Sequence, residues 1–170
     1  DTHSDLLLLD SCEDDSRAYN YSIRCQYKTG LIFNYPEILR HVHFCVVGRG
    51  LRLAQPSLLE AMSAGCIPVV VADSIVMPFK SVLDWNRVAV FVPEDNLPNL
   101  MTILNGISKE HIAEMAYQAK WLYENYFSSM KQITMTTLDI INDRVFPLLA
   151  KTYEQWNMPP NAVSSYFYLN

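Results

Sequence analysis

Short apolar blocks separated by turn residues fill the first half of the chain, and helical spacing takes over in the second. Residues 6–9 are four leucines bounded by Asp5 and Asp10, the pattern of a strand covered on both faces in a parallel sheet. Residues 44–47 and 69–71 repeat that pattern, and residues 88–92 form a fourth such block, stopped by Pro93. Pro68 has no amide hydrogen, which places it at the entrance of its strand. A long polar loop follows the first strand, and Tyr35-Pro36-Glu37-Ile38-Leu39 opens a short helix with proline in its first turn.

Leu58, Leu59 and Met62, with Ala61 and Ala64, supply the packing face of a helix entered at Pro56 and ended by Gly65. Further on, Leu97, Leu100, Met101 and Leu104 recur at helical spacing. Ser108 is placed to cap a helix whose apolar face is Ile112, Met115, Ala116, Ala119 and Leu122. Met130, Ile133, Leu138, Ile141 and Val145 continue helically to about Pro147 as core and packing faces. Strands with helices between them, followed by helices, predict an α/β domain finished by a helical flank over residues 1–150. An aromatic tail over residues 151–170 then loses the helical period. Its Tyr153, Trp156, Tyr166, Phe167 and Tyr168 are expected to fold back on the domain or to face a neighbouring module.

The centre of this pattern is FCVVGRGLRLAQPSLLEAMSAGCIPVVVADS, residues 44–74: strand, glycine turn, helix, strand. A βαβ unit presents its turn and helix N-terminus to phosphate groups. Gly48 and Gly50 let the backbone turn and approach a ligand, Arg49 and Arg52 offer charge-assisted hydrogen bonds, and Glu60 offers a carboxylate for ribose hydroxyls. The competing reading makes the arginines solvated loop charges and Glu60 an ordinary first-turn acid, worth about 0.3–1 kcal/mol through the helix dipole.

Composition narrows the partners. With 170 residues, half of them apolar, the chain can bury a full core. A net charge of −5 argues against nucleic acid and against electrostatic docking on an acidic membrane. Screening beyond about 8 Å still allows a few arginines to attract an anion locally. No apolar run reaches the length of a membrane span. The chain opens on what reads as an interior strand, so a piece of a longer protein is the expectation.

The cysteines and one sequon point to an oxidising compartment. Cys12 and Cys25 flank a polar loop where a disulfide would restrict the unfolded chain, while Cys45 and Cys66 are either buried thiols or a cross-strand disulfide. Asn20-Tyr21-Ser22 is a glycosylation acceptor, in keeping with a lumenal or secreted setting. Other chemistries find no footing. The nucleophile-elbow, zincin and P-loop motifs are absent, and the Gly48–Gly50 pair lacks the third glycine of a dinucleotide fingerprint. His41 and His43 lack a third ligand of the right kind, and Glu13-Asp14-Asp15 reads as a solvated loop. A metal-independent site with no cofactor is therefore expected.

FCVVGRGLRLAQ, EAMSAGCIPVVVADS, MPFKSVLDW, IINDRVFP and YEQWNMPP together resemble the exostosins, glycosyltransferase family 47, over nearly the whole chain. The resemblance implies the Rossmann-like, nucleotide-binding C-terminal half of a GT-B glycosyltransferase. It implies a UDP-sugar donor, a heparan sulfate acceptor, inverting glucuronosyl transfer and a second exostosin subunit as partner. It also implies Golgi and endoplasmic reticulum residence, with a type II membrane anchor outside this chain. Glu60 matches the family's E-A-x-x-A-G-C-x-P segment and Arg49, Gly50 and Arg52 its R-G-x-R pattern. The nucleotide-sugar-binding set is then Arg49, Gly50, Arg52, Gln55, Ser57 and Glu60, and the general base would lie on the other half of the cleft. Many members have proline before Arg-Gly, where Gly48 stands here, and arginine before the helix leucines, where Pro56 and Ser57 stand. Those departures support an alternative, a non-catalytic module that stabilises a catalytic exostosin partner.

Overall fold

Strand pairing differs between the two compact units of the chain, Asp1–Val42 and His43–Asn170. The computed structural model describes residues 6–10, 22–26, 29–49 and 56–159. In the first unit β1 (Leu9–Asp10), β2 (Ile23–Gln26) and β3 (Ile32–Asn34) form an antiparallel meander, with Leu9 opposite Gln26 and Arg24 opposite Phe33. Gly30, at φ +68°, takes the left-handed turn that joins β2 to β3. A 3₁₀ turn over Glu37–His41 follows, with Pro36 at its N-cap position rather than inside its first turn.

The leucine run thus departs from the expectation. Only its last residue enters a strand, the pairing is antiparallel, and Leu8 is 60% exposed. An all-apolar block carries no period, so it cannot say which neighbour it pairs with. That neighbour comes from the stretch expected to be loop, where Ile23, Arg24, Cys25 and Gln26 alternate apolar and polar side chains.

In the second unit β4 (Phe44–Gly48), β5 (Ile67–Val71) and β6 (Val90–Phe91) form a parallel sheet in that order. Helices α1 (Pro56–Ala64), α2 (Leu100–Asn105), α3 (Lys109–Leu122), α4 (Met130–Val145) and α5 (Tyr153–Asn157) flank it. This is the Rossmann-like α/β sheet with a helical flank that the pattern predicts. All of β5 is buried, because successive side chains feed opposite faces and both faces are covered. Val70 joins Leu58 and Met62 of α1, Ala119 and Leu122 of α3, and Ile140 of α4. Val69 and Val71 join Val92, Leu100 and Leu104 on the other side. Each such Val, Leu, Ile or Met side chain contributes about 1.5–3 kcal/mol by leaving water.

Pro68 lies inside β5, opposite Cys45, rather than at its entrance. Ile67 N donates to His43 O, so the next residue along points away from β4, towards β6. There β6 has not begun, since Val90 pairs with Val69, and the missing proline N–H has no acceptor to leave unpaired. The block at 88–92 likewise yields only two strand residues. Val88 N and Ala89 N both donate to Trp85 O, which keeps them in the turn that ends a 3₁₀ segment over Trp85–Arg87.

Helix ends follow local chemistry. Ser108 and Ser129 cap α3 and α4 by accepting from His111 N and Gln132 N. After α1, Gly65 at φ +79° allows Gly65 N and Cys66 N to return to Met62 O and Ala61 O, a Schellman closure. One π turn, Tyr123–Phe127, joins α3 towards α4 and turns Tyr126 and Phe127 inward, where Phe127 stacks on Phe79 at 5.4 Å. α4 corrects an expectation: Thr136 and Ile140 are its buried residues, whereas Leu138, Ile141 and Val145 are more than half exposed. Its apolar residues lie on both sides of the helix, so spacing alone does not choose the inward face.

The tail as far as Pro159 belongs to the second unit. Thr152 and Gln155 form a capping box for α5, Trp156 is 2% exposed against the Tyr126 ring, and Tyr126 Oη donates to Trp156 O at 2.8 Å. Tyr166, Phe167 and Tyr168 lie outside the described residues.

Candidate functional site

β4 carries the chain to the carboxyl edge of the parallel sheet, where open α/β sheets bind their ligands. Gly48 is its last residue, paired with Val71. It does not make the turn expected of it: its φ lies outside the left-handed region, and a Cβ built on it meets no atom within 4 Å. Arg49 follows, exposed at the strand end. Gly50, Arg52 and Gln55 lie outside the described residues.

The chain re-enters at Pro56, and its buried residues Leu58, Ala61 and Met62 fasten α1 to the sheet. Ser57 and Glu60, three apart, share a neighbouring face of the helix and are both half-buried. Glu60 is engaged in an interaction of its own. It is not the first-turn acid of the competing reading, since the first turn of α1 contains no acid. Because the dipole effect falls off within that turn, helix stability gives Glu60 little reason to be there.

A second feature of this edge is one that sequence reasoning missed. Glu94 N donates to Asp73 Oδ1 at 3.0 Å, and Asp73 N donates to Glu94 Oε1 at 3.4 Å. This reciprocal pair ties the chain leaving β5 to the chain leaving β6. The available signal was an acid two residues past one strand and another just after the proline that stops the next.

Cys45 and Cys66 form a disulfide, which decides between the two readings of that pair. Cys25 is also disulfide-bonded, while Cys12 and Asn20 lie outside the described residues. Among the described residues no three His, Cys, Asp or Glu side chains gather as a metal site, and no helix is long and apolar enough to cross a membrane.

The second unit is therefore an α/β domain with an arginine at the end of its first parallel strand and a glutamate on the helix that follows. The chain belongs to the exostosin family: the pattern of the Exostosin GT47 domain matches residues 2–107. It is 46% identical over 155 residues to exostosin-2 of Homo sapiens, covering 91% of this chain and 21% of that protein. Exostosin-2 of Bos taurus is 45% identical over 156 residues, with the same coverage. Exostosin-1 of Mus musculus is 36% identical over 131 residues, 77% of this chain and 18% of the relative. The chain spans about a fifth of the length of these relatives.

Proposed function

We propose that this chain is the donor-binding part of a glycosyltransferase of heparan sulfate elongation, holding a UDP-sugar at the carboxyl edge of the parallel sheet. The observation that carries the reading is Glu60, placed beyond the first turn of α1 beside Ser57, with Arg49 at the end of the adjoining strand. A carboxylate there accepts from ribose hydroxyls, and cations with backbone amides of the turn hold the diphosphate. In an inverting glucuronosyl transfer this chain would stabilise the UDP leaving group, and the base that activates the acceptor hydroxyl would stand on the other half of a GT-B cleft. The site needs no metal in this reading. Arg52, Gly50 and Gln55 complete the set, and the lumen of the Golgi and endoplasmic reticulum, with an anchor outside the chain, is the setting that the disulfides support.

Calorimetry of the chain with UDP tests this. Weak binding is expected, reduced by Glu60→Ala or Arg52→Ala. Absence of binding in a folded two-domain form favours the second reading, a non-catalytic module that stabilises a catalytic exostosin subunit in a hetero-oligomer. One observation supports that alternative: the outward face of α4 keeps Leu138, Ile141 and Val145 in solvent.

A further inference from the structure

The parallel ladder between β5 and β6 runs out at a proline. Val70 pairs with Phe91, and Val92 N donates to Val70 O, so a ladder continuing at that spacing would send Glu94 N to Ala72 O. Pro93 instead leads the chain out of the strand into a 3₁₀ segment over Glu94–Asn99, to which it offers no side-chain cap. Glu94 N turns to the Asp73 carboxylate at 3.0 Å, and Asp73 N answers to Glu94 Oε1 at 3.4 Å. Asp73 and Glu94 each stand three residues past the Val70–Phe91 pair. Side-chain oxygens therefore carry the strand register beyond the end of the sheet.

The sheet does not depend on this latch for its cohesion. Val69 and Val71 of β5 already pack with Val92, Leu100 and Leu104. Asp73 and Glu94 are both exposed, and neither makes an ion pair among the described residues. Two like charges held side by side repel each other. What the latch supplies in return is a fixed backbone where two chains leave the sheet.

That backbone borders the candidate site. β5 is the middle strand, so its exit has β4 on one side and β6 on the other. Gly48 pairs with Val71, which brings Arg49 and Ala72 off neighbouring strands at the same level, with Asp73 next in the chain. Ala72 and Ile75 pack on the core on either side of Asp73. Residues 72–74 are thus anchored below by the core and sideways by the latch.

We propose that Asp73 and Glu94 are positioning residues for the donor site, holding residues 72–74 and 92–94 as a preorganised wall beside Arg49. They act through that backbone and not by touching the ligand. The proposal rests on the donor-binding reading for the name of the ligand.

The test is calorimetry of the full chain with UDP, beside urea titration of each variant. Asp73→Ala is expected to bind UDP about fivefold more weakly, the worth of one hydrogen bond. Asp73→Asn, which keeps an oxygen for Glu94 N, should restore binding to within about twofold. Glu94→Ala is the milder probe, because Asp73 still caps Glu94 N. It should weaken UDP as well, and the two alanine losses should combine to less than their product, as for residues acting as a unit. Ser108→Ala removes another exposed helix cap away from this edge, and should lower the urea midpoint while leaving UDP affinity unchanged. A lower midpoint with native UDP affinity in Asp73→Ala reduces the pair to a cap and overturns the proposal. So do an Asp73→Asn as weak as Asp73→Ala, losses that multiply freely, or an equal loss in Ser108→Ala. Absence of UDP binding by the native folded chain sinks the donor reading, and the latch's role falls with it; binding that no latch variant changes sinks the latch alone.

Discussion

Asn157 accepts the backbone N–H of Asp84 at 2.7 Å across 73 residues of sequence, and its amide returns hydrogen bonds to Val82 O and Tyr153 O. The residue is fully buried, and Gln118 Nε2 donates to its backbone carbonyl. One short polar side chain thus joins α5 to the loop after β5 with its amide satisfied on both ends. Replacing it with alanine takes the partner from a part-buried N–H and two part-buried carbonyls. Asn157→Ala is expected to cost about 3 kcal/mol, read as a lower midpoint in urea at unchanged slope. A loss below about 1 kcal/mol would show that water takes over the contacts. For the same reason, deleting α5 should unfold the second unit, since Trp156 leaves with it.

The two glycines that bracket the candidate site should respond in opposite directions. Gly65 sits at φ +79°, so Gly65→Ala is expected to destabilise by about 1 kcal/mol or more. Gly48 has open space and no left-handed φ, so Gly48→Ala should be neutral or stabilising by about 0.5 kcal/mol. Paired thermal melts check the sign, and destabilisation at position 48 would reveal a constraint that the fold does not show.

The Cys45–Cys66 bridge closes a loop with a sequence separation of 21. In the chain-entropy account such a loop stabilises by about 3 kcal/mol. The Cys45→Ala, Cys66→Ala double variant should lose roughly that amount in denaturant titration. A smaller loss would show that the reduced unfolded chain is already compact, leaving the bridge less entropy to remove.

Burial, assisted by the charge of Asp139, pushes the Tyr126 hydroxyl up to about 12. The fold therefore holds the neutral phenol, as its hydrogen bond to Trp156 O requires. With the folded value above the unfolded one, this contribution is complete below about pH 10 and is lost as pH rises through about 12. The urea midpoint should fall more steeply across that window in the native chain than in Tyr126→Phe, since lysine deprotonation affects both alike. Parallel slopes would rule out the assignment.

Much of the second unit was legible because its signals are local. Gly65, Ser108 and Pro56 mark helix ends through backbone geometry and one hydrogen bond each, and these act within a few residues. The misses lie where an element depends on a distant partner. The strand identity of residues 23–26 depends on a pairing across a turn, and Val88 and Ala89 look like strand until Trp85 O takes both amides. Pro68 sits inside β5 only because β6 starts one residue too late to need its N–H. At the candidate site, Arg49 and Glu60 were named from residue type and spacing and Ser57 only through the family pattern; the fold adds their places, Arg49 just after β4 and the other two on α1. The Asp73–Glu94 exchange was not readable, because it spans 21 residues and its partners leave different strands.

The disulfide has one more consequence, which concerns the topology of covalent bonds. Cys45, β4, α1 and Cys66 form a closed ring of main chain and sulfur on which both Arg49 and Glu60 ride. A protease that cuts one peptide bond between Cys45 and Cys66 opens the ring but releases nothing. The strand pair stays joined, and a chain nicked beside the candidate site remains one molecule until its thiols are reduced.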